Sequence, residues 1–147
     1  MEFHSNLKAV VTHADGTTTE YNLGSGLVTT VGVAFLANDF AGVSGDITTI
    51  NYHDSGTGVV AAAIGDVGLG TGTGNARVAG TQTSPAGGQY RTVAVLSYTA
   101  AHAITEWALL SALTAGTLWD RKVFAAINVV SGDGIQFTYT LTCNSGG

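Results

Sequence analysis

The chain has 147 residues, of which 45% are hydrophobic and 10% charged, and its formal net charge is −5. Its few basic residues form no patch of the kind that phosphate backbones require, so nucleic acid is not an expected partner. The longest apolar run, residues 59–64, is far shorter than the roughly 20 residues of a membrane-spanning helix, so a membrane is not expected either.

The low charge content indicates which residues cover the surface of the protein. The length suits a single domain, residues 1–147, with a substantial core. Soluble domains usually carry about 25% charged residues, so this surface must rely on Gly, Thr, Ser, Asn and apolar atoms. Such a surface favours a protein that hides part of itself in an assembly. Cys143 has no second cysteine to pair with and residues 1–4 do not resemble a secretory signal, so we expect folding in a reducing cytoplasm.

The N-terminal segment has the pattern of a hairpin. Residues 8–12 and 17–23 can form strands on either side of Asp15-Gly16, and this dipeptide is a strong signal for a tight turn. We therefore predict an N-terminal hairpin or arm over about residues 1–26.

One α-helix is predicted over residues 28–40. Val31 and Ala34 follow helical spacing, and Thr29 or Thr30 can cap the first turn. Residues 47–53 then have the composition of a strand.

Residues 54–76 form a glycine-rich loop that is too long for a tight turn. Segments of this composition are typical of extended arms that become ordered against a neighbouring molecule. We expect this one to behave in that way.

The second half of the chain contains a series of predicted strands. They cover residues 77–83, 89–99, 102–110, 118–129 and 135–143. In the last of them apolar residues alternate strictly with Gln136, Thr138, Thr140 and Thr142, which places one face in the core and leaves a threonine-rich face outside. The fold class predicted from these elements is all-β, a single antiparallel β-sandwich or jelly-roll-like domain with one short helix.

No pattern in the sequence indicates a catalytic, cofactor-binding or metal site. The histidines lack the short local spacing of zinc ligands, and we interpret them as surface or turn residues. The one metal site that we consider would require the fold to bring His53, Asp54 and His102 together. Residues 56–61 match a dinucleotide-binding glycine pattern, but the required βαβ unit is missing. Cys143 falls on the core side of the last strand, where a thiol acts as a small hydrophobe.

Two acidic residues lie within predicted strands. Glu106 stands among apolar residues and Asp120 precedes Arg121. A pair of acids can perform acid–base catalysis, but a half-buried acid more often needs a structural cation. We expect Glu106 or Asp120 to pair with Arg121 or Arg91, and Glu106 with Arg121 in particular.

Four aromatic residues of the second half are candidate anchors. Trp107, Trp119, Tyr90 and Phe124 suit the core of a sheet, which is the usual position of such side chains. The same residues would also serve as an anchor between subunits or as a sugar-binding platform.

Several short segments occur in an order and spacing that carry a family resemblance. They are YHDSGTG (residues 52–58), AAIGD (62–66), LGT (69–71) and Arg77, then ITEWALLS (104–111), GTLWDRKVF (116–124) and INVVSGDGIQFTYTLT (127–142). Over roughly residues 20–147 this pattern resembles small β-rich structural proteins of tailed-bacteriophage particles. Trp107, Ala108 and Gly134 depart from the residues that are commoner in that family.

The resemblance implies a non-enzymatic component of the virion, made in the host cytoplasm. It implies most directly a capsid decoration (cement) protein that binds the major capsid protein and its own copies, as a homotrimer, without a cofactor. The alternative is a tail-tip, fibre or baseplate module that binds host-surface glycan.

Overall fold

The structure, a computed structural model, describes residues 2–43 and 50–145. Within these residues the chain forms ten strands and one helix. In chain order they are β1 (Glu2–Thr12), β2 (Thr18–Gly24), β3 (Leu27–Val28), α1 (Thr30–Phe40), β4 (Tyr52–Gly56), β5 (Val78–Ala79), β6 (Thr81–Thr83), β7 (Gln89–Ser97), β8 (His102–Leu110), β9 (Leu118–Val129) and β10 (Gly134–Asn144).

The strands form two five-stranded antiparallel sheets that pack face to face. Sheet 1 has the order β2-β1-β10-β7-β6 and sheet 2 has the order β3-β9-β8-β4-β5. The predicted all-β antiparallel sandwich with one short helix is confirmed. The alternation in β10 decides which residues enter the core: Ile135, Phe137 and Tyr139 are fully buried, whereas Thr138 and Thr140 face outward.

The N-terminal segment is an integral part of sheet 1. The hairpin is present, with Gly16 at φ +86° in the turn that Asp15-Gly16 predicts. However, β1 begins at Glu2 and pairs along its whole length with β10, while β2 pairs with its other edge. β1 therefore lies in the interior of sheet 1, where its alternating apolar residues complete the core, and β2 forms the edge of that sheet.

The helix begins two residues later than predicted. Thr29 is its N-cap: the Gly32 N–H donates to Thr29 Oγ1 (3.1 Å), and the Thr29 hydroxyl donates to the Leu118 carbonyl (2.5 Å). Residues 27–28 instead pair with β9 as β3. Gly32 allows the helix to lie directly on sheet 2, since a Cβ there would come within 3.0 Å of the Trp119 backbone. This contact stabilises a helix whose first turn consists of poor helix formers.

Two other predicted strands have different boundaries. The strand expected over residues 47–53 begins at Tyr52, and residues 47–49 of that prediction lie outside the described residues. The strand expected over residues 77–83 is divided between β5 in sheet 2 and β6 in sheet 1. The chain changes sheets at Gly80, where a Cβ would lie 2.1 Å from Thr92 Oγ1. Only a residue without a side chain fits at this crossing.

A chain of hydrogen bonds in the core involves His53, which corrects the expectation of a surface or turn histidine. The Trp107 indole N–H donates to His53 Nδ1 (3.1 Å), so the imidazole proton is on Nε2, which donates to Thr92 Oγ1 (3.1 Å). Burial lowers the pKa of His53 to about 3. The ring is therefore neutral and links sheet 2 to sheet 1.

A second buried chain of hydrogen bonds crosses the sandwich beside the first. The Trp119 indole N–H donates to the Tyr139 hydroxyl (3.0 Å), which donates to Asp120 Oδ2 (2.9 Å). Asp120 is fully buried, and burial raises the pKa of its carboxyl to about 6 although hydrogen bonds, chiefly that from Tyr139, and the charge of Lys122 act in the opposite direction. The folded protein thus holds a proton at Asp120 under mildly acidic conditions in which an unfolded chain would not.

We predict that D120N changes the free energy of unfolding in a pH-dependent way. The stability that protonated Asp120 contributes is fully present below pH 3.8 and is lost as the pH rises through about 6. Asparagine cannot ionise, so the stability of D120N relative to wild type should be higher at pH 8 than at pH 3.5 by up to about 3 kcal/mol. Urea denaturation of both proteins at each pH measures this difference, and comparison at equal pH cancels the contribution of His53. A pH-independent difference would contradict the prediction.

Candidate interaction surface

The glycine-rich loop, residues 57–77, lies against the outer face of sheet 2 of its own chain. This corrects the expectation of an arm that becomes ordered on a neighbour, and residues 54–56 of the predicted loop belong to β4. The loop is bonded to the rest of the chain at several points: Thr73 donates its N–H to the carbonyl of Ser55 in β4 (3.2 Å), and the N–H of Thr30, at the start of α1, donates to the Ile64 carbonyl (2.8 Å). The segment is therefore positioned before any partner binds.

The carboxylate of Glu106 is the centre of this attachment. It is fully buried on the outer face of β8 and accepts hydrogen bonds from three loop N–H groups, those of Gly58 (2.9 Å), Gly70 (2.9 Å) and Thr71 (2.7 Å). A Cβ at Gly56 or Gly58 would lie 2.5 Å or 2.4 Å from Glu106 Oε1. Glycine is required at these two positions because the backbone itself approaches the carboxylate.

Arg121 completes the site from the adjacent strand β9. Its Nε and Nη2 both donate to Glu106 Oε2, at 2.9 Å and 2.6 Å, and Nη1 donates to Asp66 Oδ2 of the loop at 2.7 Å. Nη2 also donates to the Val60 carbonyl (3.1 Å). Glu106 and Arg121, the pair expected from the sequence, thus meet in an ion pair that also binds the loop.

The ionisation of the three groups follows from these contacts. Burial by itself would raise the pKa of Glu106, but the loop N–H groups and Arg121 outweigh it and hold that pKa below its ordinary value. The pKa of Asp66 is lowered by the N–H of Ala63 and by Arg121. Although burial opposes the charge of Arg121, its two carboxylate partners raise its pKa. All three groups are therefore charged at neutral pH.

The loop held in this way carries large apolar side chains in solvent. Val59, Val60, Ile64 and Val67 are 74%, 75%, 62% and 72% exposed. An open depression of about 290 Å³ lies where the loop meets β3 and β9, and Val59 is part of its lining. We call the outward side of residues 57–77, with this depression, the loop surface. Exposed apolar side chains grouped on a fixed backbone are typical of protein interaction sites.

The four aromatic candidates occupy different environments. Trp107 and Trp119 are 0% and 3% exposed and belong to the core between the sheets, where Trp107 stacks on Tyr139 with ring centroids 5.2 Å apart. Tyr90 and Phe124 are half-buried and pack against the same core. Tyr90 donates its hydroxyl to the Ile50 carbonyl (2.5 Å), and burial raises its pKa to about 12. The two tryptophans form no platform at the surface.

The remaining candidates from the sequence do not converge. Asp54 faces away from the core and pairs with Arg77 (3.2 Å), whereas the adjacent His53 points into the core, so the two cannot share a site with His102. Within residues 2–43 and 50–145 no group of three His, Cys, Asp or Glu side chains is placed to hold a metal ion. Asp120 lies on the opposite side of its sheet from Glu106.

Arg91 is distant from both acids, on the outer face of sheet 1, where it contacts Thr140. Cys143 is half-buried at the end of β10 and packs against the core. In the described part of the chain, no helix is long and apolar enough to cross a membrane.

Sequence reasoning missed the loop partners of the ion pair. The N–H groups of Gly58, Gly70 and Thr71 lie 35 to 48 residues from Glu106 in the chain, and Asp66 lies 55 residues from Arg121. The usable signal was the combination of a buried acid with closely spaced glycines, since backbone N–H groups reach a carboxylate best where no side chain intervenes.

Comparison with known proteins adds no relative to these observations. The sequence matches no protein-family model and no curated protein.

We predict that E106Q releases the loop. The glutamine amide has no negative charge, and its N–H₂ group faces N–H groups that need an acceptor. Arg121 is then left with an incomplete set of partners. Loss of one member of a buried ion pair typically costs about 3–5 kcal/mol. Urea denaturation at pH 7 measures the change in free energy of unfolding, and hydrogen exchange measures the protection of the N–H groups of Gly58, Gly70 and Thr71, which should fall.

The matched control is D54N, which weakens the partly exposed pair between Asp54 of β4 and Arg77 at the end of the loop. Pairs of this kind contribute about 0–1 kcal/mol. Equal effects of D54N and E106Q, or unchanged protection of the three loop amides in E106Q, would contradict the assigned role of Glu106.

Proposed function

We propose that the protein is a non-enzymatic structural component of a tailed-bacteriophage virion, a capsid decoration protein that binds the assembled head as an oligomer. The observation that carries the proposal is the loop surface: four large apolar side chains in solvent on a loop that a buried ion pair attaches to the body. The family resemblance supplies the identity of the assembly.

The distribution of charge supports burial of this surface in an assembly. The chain has only fifteen charged side chains besides histidine, and Glu106, Asp120, Arg121 and Asp133 among them are buried. Few charged side chains therefore remain at the surface to oppose association of the exposed apolar side chains with other molecules. A neighbouring subunit that covers Val59, Val60, Ile64 and Val67 removes this apolar area from water, which is favourable at about 25 cal/mol per Å².

The attachment of the loop also favours tight binding. A segment that becomes ordered only on its partner loses conformational entropy in the complex and binds less tightly for the same contact area. In this protein the ion pair of Glu106 and Arg121 orders the backbone of the loop before a partner binds. The protein would stabilise the head by mass action, because it binds the assembled shell and not the free capsid subunit; at a free concentration of 100 Kd this amounts to about 2.7 kcal/mol per site.

The alternative, a tail-tip, fibre or baseplate module that binds glycan through aromatic rings, relied on accessible tryptophans. Trp107 and Trp119 are core residues and are bonded to His53 and Tyr139. The exposed aromatic side chains of the described residues are Phe40 (74% exposed) and Tyr21 (37% exposed), and neither is one of the residues on which the alternative was based.

The first test of the proposal is the copy number of the chain in purified particles, measured by quantitative mass spectrometry against the major capsid protein. We expect about one copy per capsid subunit. A ratio below a few per cent would overturn the assignment to the head and indicate a position in the tail.

We further predict that V59D/V60D binds heads lacking the protein at least tenfold more weakly than wild type. The two carboxylates would have to be desolvated in the contact, whereas in the free protein they remain in water. Co-sedimentation with such heads over a range of protein concentrations measures the affinity. V95D, at a 51% exposed valine on the outer face of sheet 1, is the control and should bind like wild type. Equal binding by all three proteins would exclude the loop surface as the contact.

A further inference from the structure

The outer face of sheet 1 carries an ordered array of polar side chains, on the opposite side of the sandwich from the loop surface. The strand registers align residues of β1, β10 and β7 in three rows. Row by row they are Lys8, Thr138 and Val93; Asn6, Thr140 and Arg91; and His4, Thr142 and Gln89. The residues between them along each strand point into the core, so these side chains face away from it.

An open depression of about 430 Å³ lies on this array. Eight residues of the array line it, together with Ser5, and no carboxylate does. Hydroxyl, amide and cationic groups therefore form its floor and rim. The nearest acids lie outside it: Glu2 contacts His4 (3.3 Å), and Glu20 on β2 is paired with Val10, one row beyond Lys8.

The two cations of the array differ from the other arginines of the chain in having no acidic partner. Arg77 and Arg121 form ion pairs, whereas no carboxylate among the described residues lies within 4 Å of Lys8 or Arg91. Arg91 Nε donates to Thr140 Oγ1 (3.2 Å), which holds the guanidinium on the array and leaves its two Nη atoms without a protein partner in the described part of the chain. With the usual strand spacings, Lys8 and Arg91 are about 12 Å apart across the array.

We propose that this array binds an acidic carbohydrate, an oligosaccharide that carries carboxylate or sulfate groups. Lys8 and Arg91 pair with the acidic groups. The threonine hydroxyls and the Asn6 amide both donate and accept hydrogen bonds, as recognition of sugar hydroxyls requires. The array has no large aromatic or aliphatic anchor of the kind on which protein–protein contacts depend. Two cations are also too few for the counterion release that drives binding to nucleic acid.

The negative net charge of the chain argues against non-specific binding of an acidic ligand. A chain of net charge −5 repels polyanions at long range, so association with one must come from local contacts. The inference does not rest on the proposed function, because it uses a different face of the molecule.

Isothermal titration at low ionic strength tests the proposal with three probes: a heparin octasaccharide, an octamer of galacturonic acid, and maltooctaose as the neutral sugar. We expect binding of one or both acidic probes and none of maltooctaose. R91Q and K8Q should each weaken the binding by about tenfold, since each removes a charge-assisted hydrogen bond. Binding of sulfated but not carboxylated sugar, or the reverse, identifies the acidic group.

Two further variants separate recognition from general charge effects. K122Q makes the same change in net charge on sheet 2 and should bind like wild type. T140V removes a hydroxyl from the centre of the array without a change in charge and should weaken binding. The proposal is overturned if neither acidic probe binds, if K122Q weakens binding as much as R91Q does, or if T140V has no effect. Thermal unfolding of each variant verifies that the fold is retained.

Discussion

The structure depends on one buried carboxylate. Glu106 lies on the outer face of a central strand, where an unpaired charge would be strongly unfavourable. Its partners come from two directions: Arg121 from the neighbouring strand, and backbone N–H groups from a loop that encloses it. The loop can approach because it has glycine where backbone meets carboxylate. The need to satisfy one charge therefore helps to position about twenty residues that have no regular structure, and with them four exposed large apolar side chains, those of Val59, Val60, Ile64 and Val67.

The strand pair β8–β9 organises both sides of its sheet by alternation. On β8, Glu106 faces outward and the next residue, Trp107, faces inward. On β9, Arg121 faces outward and the preceding residue, Asp120, faces inward. The two outward residues hold the loop. These inward residues bond to groups of the core, so each sheet is connected to the other by hydrogen bonds as well as by apolar packing. Consecutive residues of each strand thus contribute to the core and to the attachment of the loop. A change that displaced either strand would disturb the core and the loop together.

The two faces of the sandwich have opposite chemistry, and this suits a protein at the surface of a particle. On the side of sheet 2 the ordered loop presents valine and isoleucine, which favour a permanent contact with a neighbouring subunit. On the side of sheet 1 the array presents threonine, asparagine, lysine and arginine, which favour a hydrated ligand. Under the two proposals together, the apolar side attaches the molecule to the shell and the polar side faces outward.

The sequence by itself determined the class of the fold and the direction of most side chains, because period-two alternation and turn residues are local properties. It identified the α-helix, the final strand and the pairing of Glu106 with Arg121. Tertiary structure alone decided the rest. The loop residues 57–77 have the composition of a free arm, and they are ordered by distant groups, chiefly the carboxylate of Glu106 and the guanidinium of Arg121. Asn51 and Ser55, the residues two positions from His53 along the chain, are polar and do not mark it as buried. It lies in the core because the Trp107 indole and the Thr92 hydroxyl satisfy both of its nitrogens. Partners that lie 35 to 54 residues away in the chain cannot be identified from local sequence alone, since they meet only when the sheets have formed.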